Sequence, residues 1–201
     1  MARIKLCGLM RAQDAEYCNI VKPDLAGMVF APDRRRTVTH AQAKIIRDAL
    51  DDSIPAVGVF IDAEISEITE LVQAGIIQFV QLHGSEQNEY IRALRKQIEN
   101  TPIIQAFRVQ SETELLCAER SDADIVLLDG GAGEGKEFNW KHLRYFTRPF
   151  FLAGGLNPIR VKHAIALHEP YGVDVSSGIE TDGKKDLAKM QAFVNAVRSE
   201  G

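Results

Sequence analysis

Eight short apolar runs, each followed by a stretch with helical spacing, leave this 201-residue chain few ways to fold. The runs lie at 3–7 (RIKLC), 25–30 (LAGMVF), 56–61 (AVGVFI), 77–83 (IQFVQLH), 103–109 (IIQAFRV), 124–129 (DIVLLD), 150–155 (FFLAGG) and 172–177 (GVDVSS). Their starts are roughly 21–31 residues apart, room each time for a strand, a helix and two loops. The intervals carry helix signals. Thr39 with Gln42 and Ser111 with Glu114 spell capping boxes. Ser85 is placed to cap a helix bearing Ile91, Leu94 and Ile98, and Asn157-Pro158 reads as a cap followed by proline at the first helical position. Ile65, Ile68 and Val72 recur at helical spacing, and Leu187, Met190, Val194 and Val197 line a last helix. After the sixth run only Asn139 to about Phe146 looks helical.

Strict alternation of strand and helix means parallel strands joined by right-handed crossovers. Two architectures satisfy it: an open sheet with helices on both faces, or a closed eight-stranded barrel. The parity of polar residues separates them. Lys5 and Cys7 share one face of their strand against Ile4 and Leu6; Gln81 and His83 oppose Val80 and Leu82; Asp174 and Ser176 oppose Val173 and Val175. An open sheet covered on both faces would desolvate these groups at about 1–3 kcal/mol each if unpaired. In a barrel one parity faces the helices and the other an interior that opens at its upper end into a pocket. The polar residues stand late in their strands, as a barrel requires. The expected fold is therefore α/β, a (β/α)8 TIM barrel of eight parallel strands. No glycine- or proline-rich linker divides the chain, so residues 1–201 are expected to form one domain.

Apolar content of 45% and charged content of 26% are ordinary for a soluble globular protein. A net charge of −4 supplies no global positive field for nucleic acid or an anionic membrane, so an anionic small molecule needs a local site. The three cysteines, Cys7, Cys18 and Cys117, show neither a disulfide framework nor zinc-ligand spacing, and no metal or cofactor is expected. Cys18 and Cys117 sit in helical segments as small apolar filler. No signal peptide or membrane-length apolar segment is read, and a reduced cytoplasmic setting is expected.

In this fold the chemistry stands at the C-terminal ends of the strands. There the sequence places Cys7, the run Arg34 to Arg36, His83, Arg108, Asp129, Gly154-Gly155 and Ser176-Ser177-Gly178. Paired glycines expose main-chain amides, and the loops after strands seven and eight of such barrels commonly hold phosphate. A tight turn would account equally well for one of these loops, but less readily for both. The loop G-G-A-G-E-G-K (130–136) lacks the spacing and the following Ser or Thr of a nucleotide loop, and reads as a cover over the pocket or a plain connection. Asp129 either caps the next loop or acts as a general acid, the latter requiring partial desolvation or a nearby anion. His83 is an alternative acid or a structural histidine. Arg36 either forks onto a substrate carboxylate or belongs to a solvated basic turn. Cys7 ends the first strand on the inward parity, where a positive neighbour such as Lys5 favours thiolate.

Taken in order, K-L-C-G-L, V-F-A-P-x-x-x-R, V-Q-L-H-G, L-L-D with a glycine-rich loop and G-K-x-F-x-W, L-A-G-G-L-N-P, and G-V-D-V-S-S-G-I-E with G-K-K-D resemble phosphoribosylanthranilate isomerase over nearly the whole chain. The resemblance implies an Amadori rearrangement in tryptophan biosynthesis, N-(5-phosphoribosyl)anthranilate going to 1-(2-carboxyphenylamino)-1-deoxyribulose 5-phosphate. It implies Cys7 as general base, Asp129 as general acid, Arg36 at the anthranilate carboxylate, His83 and Asp174 near the substrate, and Gly154, Gly155, Ser177 and Gly178 at the phosphate. It requires no cofactor, and as partners only the small-molecule substrate and, in a homodimer, a second copy. Departures from the family pattern are Ala31, Asn139 and the unusually basic D-R-R-R turn. A histidine-pathway sugar-phosphate isomerase would more naturally carry a carboxylate where Cys7 stands, and a silent phosphate binder would be expected to lack Cys7 or Asp129.

Overall fold

The computed structural model describes residues 1–130, 143 and 146–199. Eight parallel strands close into a barrel in chain order: β1 (Arg3–Cys7), β2 (Leu25–Val29), β3 (Ala56–Phe60), β4 (Phe79–Leu82), β5 (Ile103–Arg108), β6 (Ile125–Asp129), β7 (Phe150–Ala153) and β8 (Gly172–Val175). β8 returns to pair with β1, setting Lys5 beside Asp174. The helices are α1 (Ala12–Val21), α2 (His40–Ala49), α3 (Ile65–Gln73), α4 (Asn88–Arg95), α5 (Glu112–Glu119), α6 (Arg160–His168) and α7 (Leu187–Arg198). None of the helices among the described residues is long and apolar enough to cross a membrane.

The two strand parities have the two destinations that a barrel demands. Ile4, Leu6, Ala26, Met28, Val80, Leu82, Val173 and Val175 face outward and pack with the inner stripes of the helices, among them Ile46, Ile68, Ile91, Leu94, Val161 and Phe193. The other parity fills the interior with Leu25, Val57, Ile104, Ala106, Leu127, Phe151 and Ala153. Residues aligned across parallel strands share a face. Lys5 aligns with Leu25 and Gln81 with Ile104, so the buried Lys5 and Gln81 belong to this interior as well. Apolar layers below and polar groups above give a plugged barrel with a chemically active mouth.

Both capping boxes form: Thr39 with Gln42 at α2, and Ser111 with Glu114 at α5. Asn157 Oδ1 accepts from the amides of Ile159 and Arg160 at 2.9 Å each, but α6 begins only at Arg160, so Pro158 lies in the turn before the helix and not at its first position. Ser85 is different. Its amide and hydroxyl both donate to Asp62 Oδ1, and α4 begins later, at Asn88. Asp62 captures Ser85 because Glu86 pins both loops, accepting from the amides of Asp62 and Gly84 at 2.8 Å. Cys117 is exposed rather than core filler, whereas Cys18 is buried. The helix expected over Asn139 to Phe146 and the loop 130–136 lie mostly outside the described residues.

Past β8 the chain makes a one-turn 3-10 helix, Ser177–Ile179, then a small antiparallel hairpin of β9 (Glu180–Thr181) and β10 (Lys184–Lys185). Its two-residue turn has Asp182 at φ 49° and Gly183 at φ 76°, the left-handed pair that a tight hairpin needs. Barrel closure depends on Phe151, wholly buried, whose ring fills the place a side chain at Gly172 would take. Phe151→Ala should destabilise the fold by about 3–5 kcal/mol, read by urea denaturation.

Candidate active site

The N-terminal strand ends in Cys7-Gly8 because the chain must turn sharply at that point. Gly8 sits at φ 81°, and a Cβ there would meet Ser176 Oγ at 2.9 Å and collide with the stem of Arg36. The loop that follows is drawn in by the fully buried Asp14. Its carboxylate accepts from the amides of Met10 and Arg11 and forms an ion pair with the Arg11 guanidinium at 2.6 Å.

Below the turn, Lys5 is entirely buried and donates from Nζ to Asp174 Oδ1 at 2.9 Å, an ion pair across the β1–β8 seam. Cys7 lies next to it. Room for both comes from Gly27 on β2: a Cβ there would stand 2.9 Å from Cys7 Sγ and 3.2 Å from Lys5 Nζ. Burial works against the Lys5 charge, yet Asp174 and Cys7 beside it hold its proton more tightly than usual. For Cys7 the Lys5 effect has the expected sign, and burial outweighs it. Burial pushes the thiol up, Lys5 and Lys185 pull it down, and burial prevails. Lys5 moderates the reluctance of Cys7 to ionise.

On the far side of the mouth, His83 Nε2 lies 3.9 Å from Asp129 Oδ2. His83 Nδ1 lies 3.2 Å from Gln81 Nε2, so Nε2 is the ring nitrogen on the Asp129 side. Burial lowers the proton affinity of His83, with Asp129 and Asp174 opposing. Asp129 ends β6 half-exposed, three strands from Cys7 around the barrel, and its carbonyl accepts from the amide of Val109 at 2.9 Å.

Gly154 and Gly155 turn the chain out of β7 at φ 101° and 63°, conformations that leave their amides unscreened by side chains. Gly178 packs so closely on the chain between β7 and α6 that any side chain there would strike the carbonyl oxygen of Leu156. The glycine loop after β7 and the Ser177–Gly178 turn after β8 thus lie against one another. Arg36 is no solvated turn residue. Its guanidinium forms a two-pronged pair with Glu180, Nε to Oε1 at 2.6 Å and Nη2 to Oε2 at 2.9 Å. Glu180 also takes Lys185 Nζ at 2.8 Å, and despite burial these cations hold its carboxyl at about 2. In the sequence Lys185 and Glu180 stood only as members of the motifs G-K-K-D and G-I-E, with no role of their own. The Asp182-Gly183 turn was the one cue that they would fold back together.

The family model for N-(5'-phosphoribosyl)anthranilate isomerase matches residues 4–196. The isomerase of that name from Endomicrobium trichonymphae is 42% identical over 204 aligned residues, covering 99% of this chain and all of that protein. The one from Lactiplantibacillus plantarum is also 42% identical, over 100% of this chain and 94% of its own. Among solved structures, phosphoribosylanthranilate isomerase from Thermotoga maritima superimposes with a TM-score of 0.89 at 34% identity, covering 99% of this chain and 100% of that one. A phosphoribosylanthranilate isomerase in complex with reduced 1-(o-carboxyphenylamino)-1-deoxyribulose 5-phosphate superimposes with a TM-score of 0.87 at 32% identity, with the same coverage. With sequence and barrel matched from the first strand into the last helix, the chain belongs to the phosphoribosylanthranilate isomerase family.

Proposed function

We propose that Cys7 and Asp129 are the base and the acid with which this chain isomerises N-(5-phosphoribosyl)anthranilate to 1-(2-carboxyphenylamino)-1-deoxyribulose 5-phosphate. The isomerase reaction and its place in tryptophan biosynthesis follow from the family. The observation supporting the residue roles is that a thiol and a carboxylic acid end β1 and β6 at one barrel mouth.

Asp129 gives its proton to the ring oxygen of the ribose, the C1–O bond breaks, and the aniline nitrogen's lone pair forms the C1=N iminium. That cation acidifies the hydrogen on C2. Cys7, as thiolate, removes it, and the C2–H electrons become the C1=C2 bond of an enolamine. Protonation at C1 and loss of the C2 hydroxyl proton then give the aminoketone. The competent form carries a proton on Asp129 and none on Cys7. Lys5 and Lys185 favour that thiolate against the cost of burial. His83, whose Nε2 lies 3.9 Å from Asp129 Oδ2, supports the carboxylate that remains once the proton is given. Asp174, held by Lys5, accepts from the sugar hydroxyls. The amides of Gly154, Gly155, Ser177 and Gly178 take the phosphate, and Arg36 takes the ring carboxylate. A thiol rather than a carboxylate on β1 disfavours the histidine-pathway isomerase.

One domain, acting as a monomer or a homodimer, suffices for this chemistry; a related Thermotoga maritima enzyme is described as dimeric. A cytoplasmic setting accords with cysteines that are all unpaired.

Purified protein should consume freshly made phosphoribosylanthranilate, followed by loss of its fluorescence. Cys7→Ala and Asp129→Asn should each lower kcat by at least ~10²-fold, and full activity in either would remove its assigned role. Alkylation by iodoacetamide, read as peptide masses across pH, should show Cys7 ionising above the ordinary thiol value of about 8.5. Ionisation at or below that value would contradict the burial effect on Cys7.

A further inference from the structure

Glu180 takes no part in the proton transfers above, yet it is the most heavily charged node at the mouth. Its side chain is 5% exposed and receives three cations: Arg36 on both oxygens, Arg35 Nη2 on Oε2 at 2.5 Å and Lys185 Nζ on Oε1 at 2.8 Å. One carboxylate against three cations leaves a local excess of positive charge, a setting suited to a further anion. Lys185 is held independently as well, donating to the carbonyl of Ser176 at 3.0 Å, while Ser176 Oγ donates to the carbonyl of Cys7 at 3.0 Å. The hairpin that carries Glu180 and Lys185 is thereby tied to the end of β1.

The geometry within Arg36 carries the argument. A guanidinium offers a carboxylate two two-pronged edges, one through Nε and one Nη, the other through both Nη nitrogens. Glu180 occupies the Nε edge. Among the described residues Nη1 has no hydrogen-bond partner, so the second edge is open. The stem of Arg36 is laid over Gly8, its Nε 3.3 Å from where a Cβ would stand, next to Cys7. Because the guanidinium is rigid and planar, clamping one edge fixes the direction of the other.

Resting on the functional reading above, we infer that Glu180 is a positioning residue: it aims the open edge of Arg36 at the substrate's ring carboxylate and so sets the preference for a carboxylated aryl amine. Arg36 does not leave Glu180 to receive substrate. It is a bridge between an internal carboxylate and an external one.

The test uses two stable amines as competitive inhibitors of the full chain: the reduced product, and the same molecule without its ring carboxyl. Glu180→Gln should weaken inhibition by the carboxylated amine by about tenfold or more, the size of a charge-assisted hydrogen bond. It should leave the carboxyl-free amine within about twofold. Glu180→Asp keeps a negative charge for Lys185 while drawing it back from the Arg36 fork, and should give the same selective loss even if the glutamine variant does not fold. Equal weakening of both amines, no weakening of either, or failure of both variants to fold would overturn the positioning role. A wild type that binds neither amine and does not turn over phosphoribosylanthranilate would instead overturn the functional reading.

Discussion

The ion pair between Lys5 and Asp174 is the contact on which the rest of the mouth depends. A lysine with no exposed surface in a barrel otherwise filled by Leu25, Val57, Leu127 and Phe151 is tolerable only if an anion is brought to it. The anion comes from β8, 169 residues away in sequence, and it arrives only when the barrel closes. The fold and the site therefore share one event: the pairing of the last strand with the first aligns Lys5 with Asp174 and sets Cys7 at the lip beside them.

From that seam the polar groups spread in two directions. Toward β2, the absence of a side chain at Gly27 lets sulfur and ammonium share one recess. Toward the hairpin, Ser176, Lys185 and Glu180 continue the network to Arg36. The group proposed to supply the acid is built separately, on β4 and β6, by Gln81, His83 and Asp129. Two independently supported halves suit a reaction in which a proton is delivered to one end of a sugar and removed next to the other. The acidic protein as a whole repels a doubly anionic substrate weakly, and in the proposed reading the local arginines and bare amides reverse that field at the mouth.

Much of this was legible in the sequence because it rests on local rules. Polar residues alternating with Val and Leu at Lys5, Gln81 and Asp174 announced a barrel interior, and the capping boxes at Thr39 and Ser111 announced their helices. What was not legible depends on distance. Ser85 has the right type for a cap but is claimed by Asp62, 23 residues away. Glu180 and Arg36 meet across 144 residues, and neither residue type signals the other. The net balance at Cys7 was not legible for the same reason. Lys5 is visible two residues away, but the depth of burial that outweighs it is set by the whole barrel.

A crystal structure of this chain with the reduced product analogue bound tests the central claim most directly. The account requires Cys7 Sγ to stand about 3.5 Å from C2 of the sugar, with the Asp129 carboxyl at the oxygen released on ring opening. The phosphate should rest on the amides of the loops after β7 and β8. A ligand seated with Cys7 and Asp129 facing separate cavities, or with the sulfur turned away from C2, would contradict it.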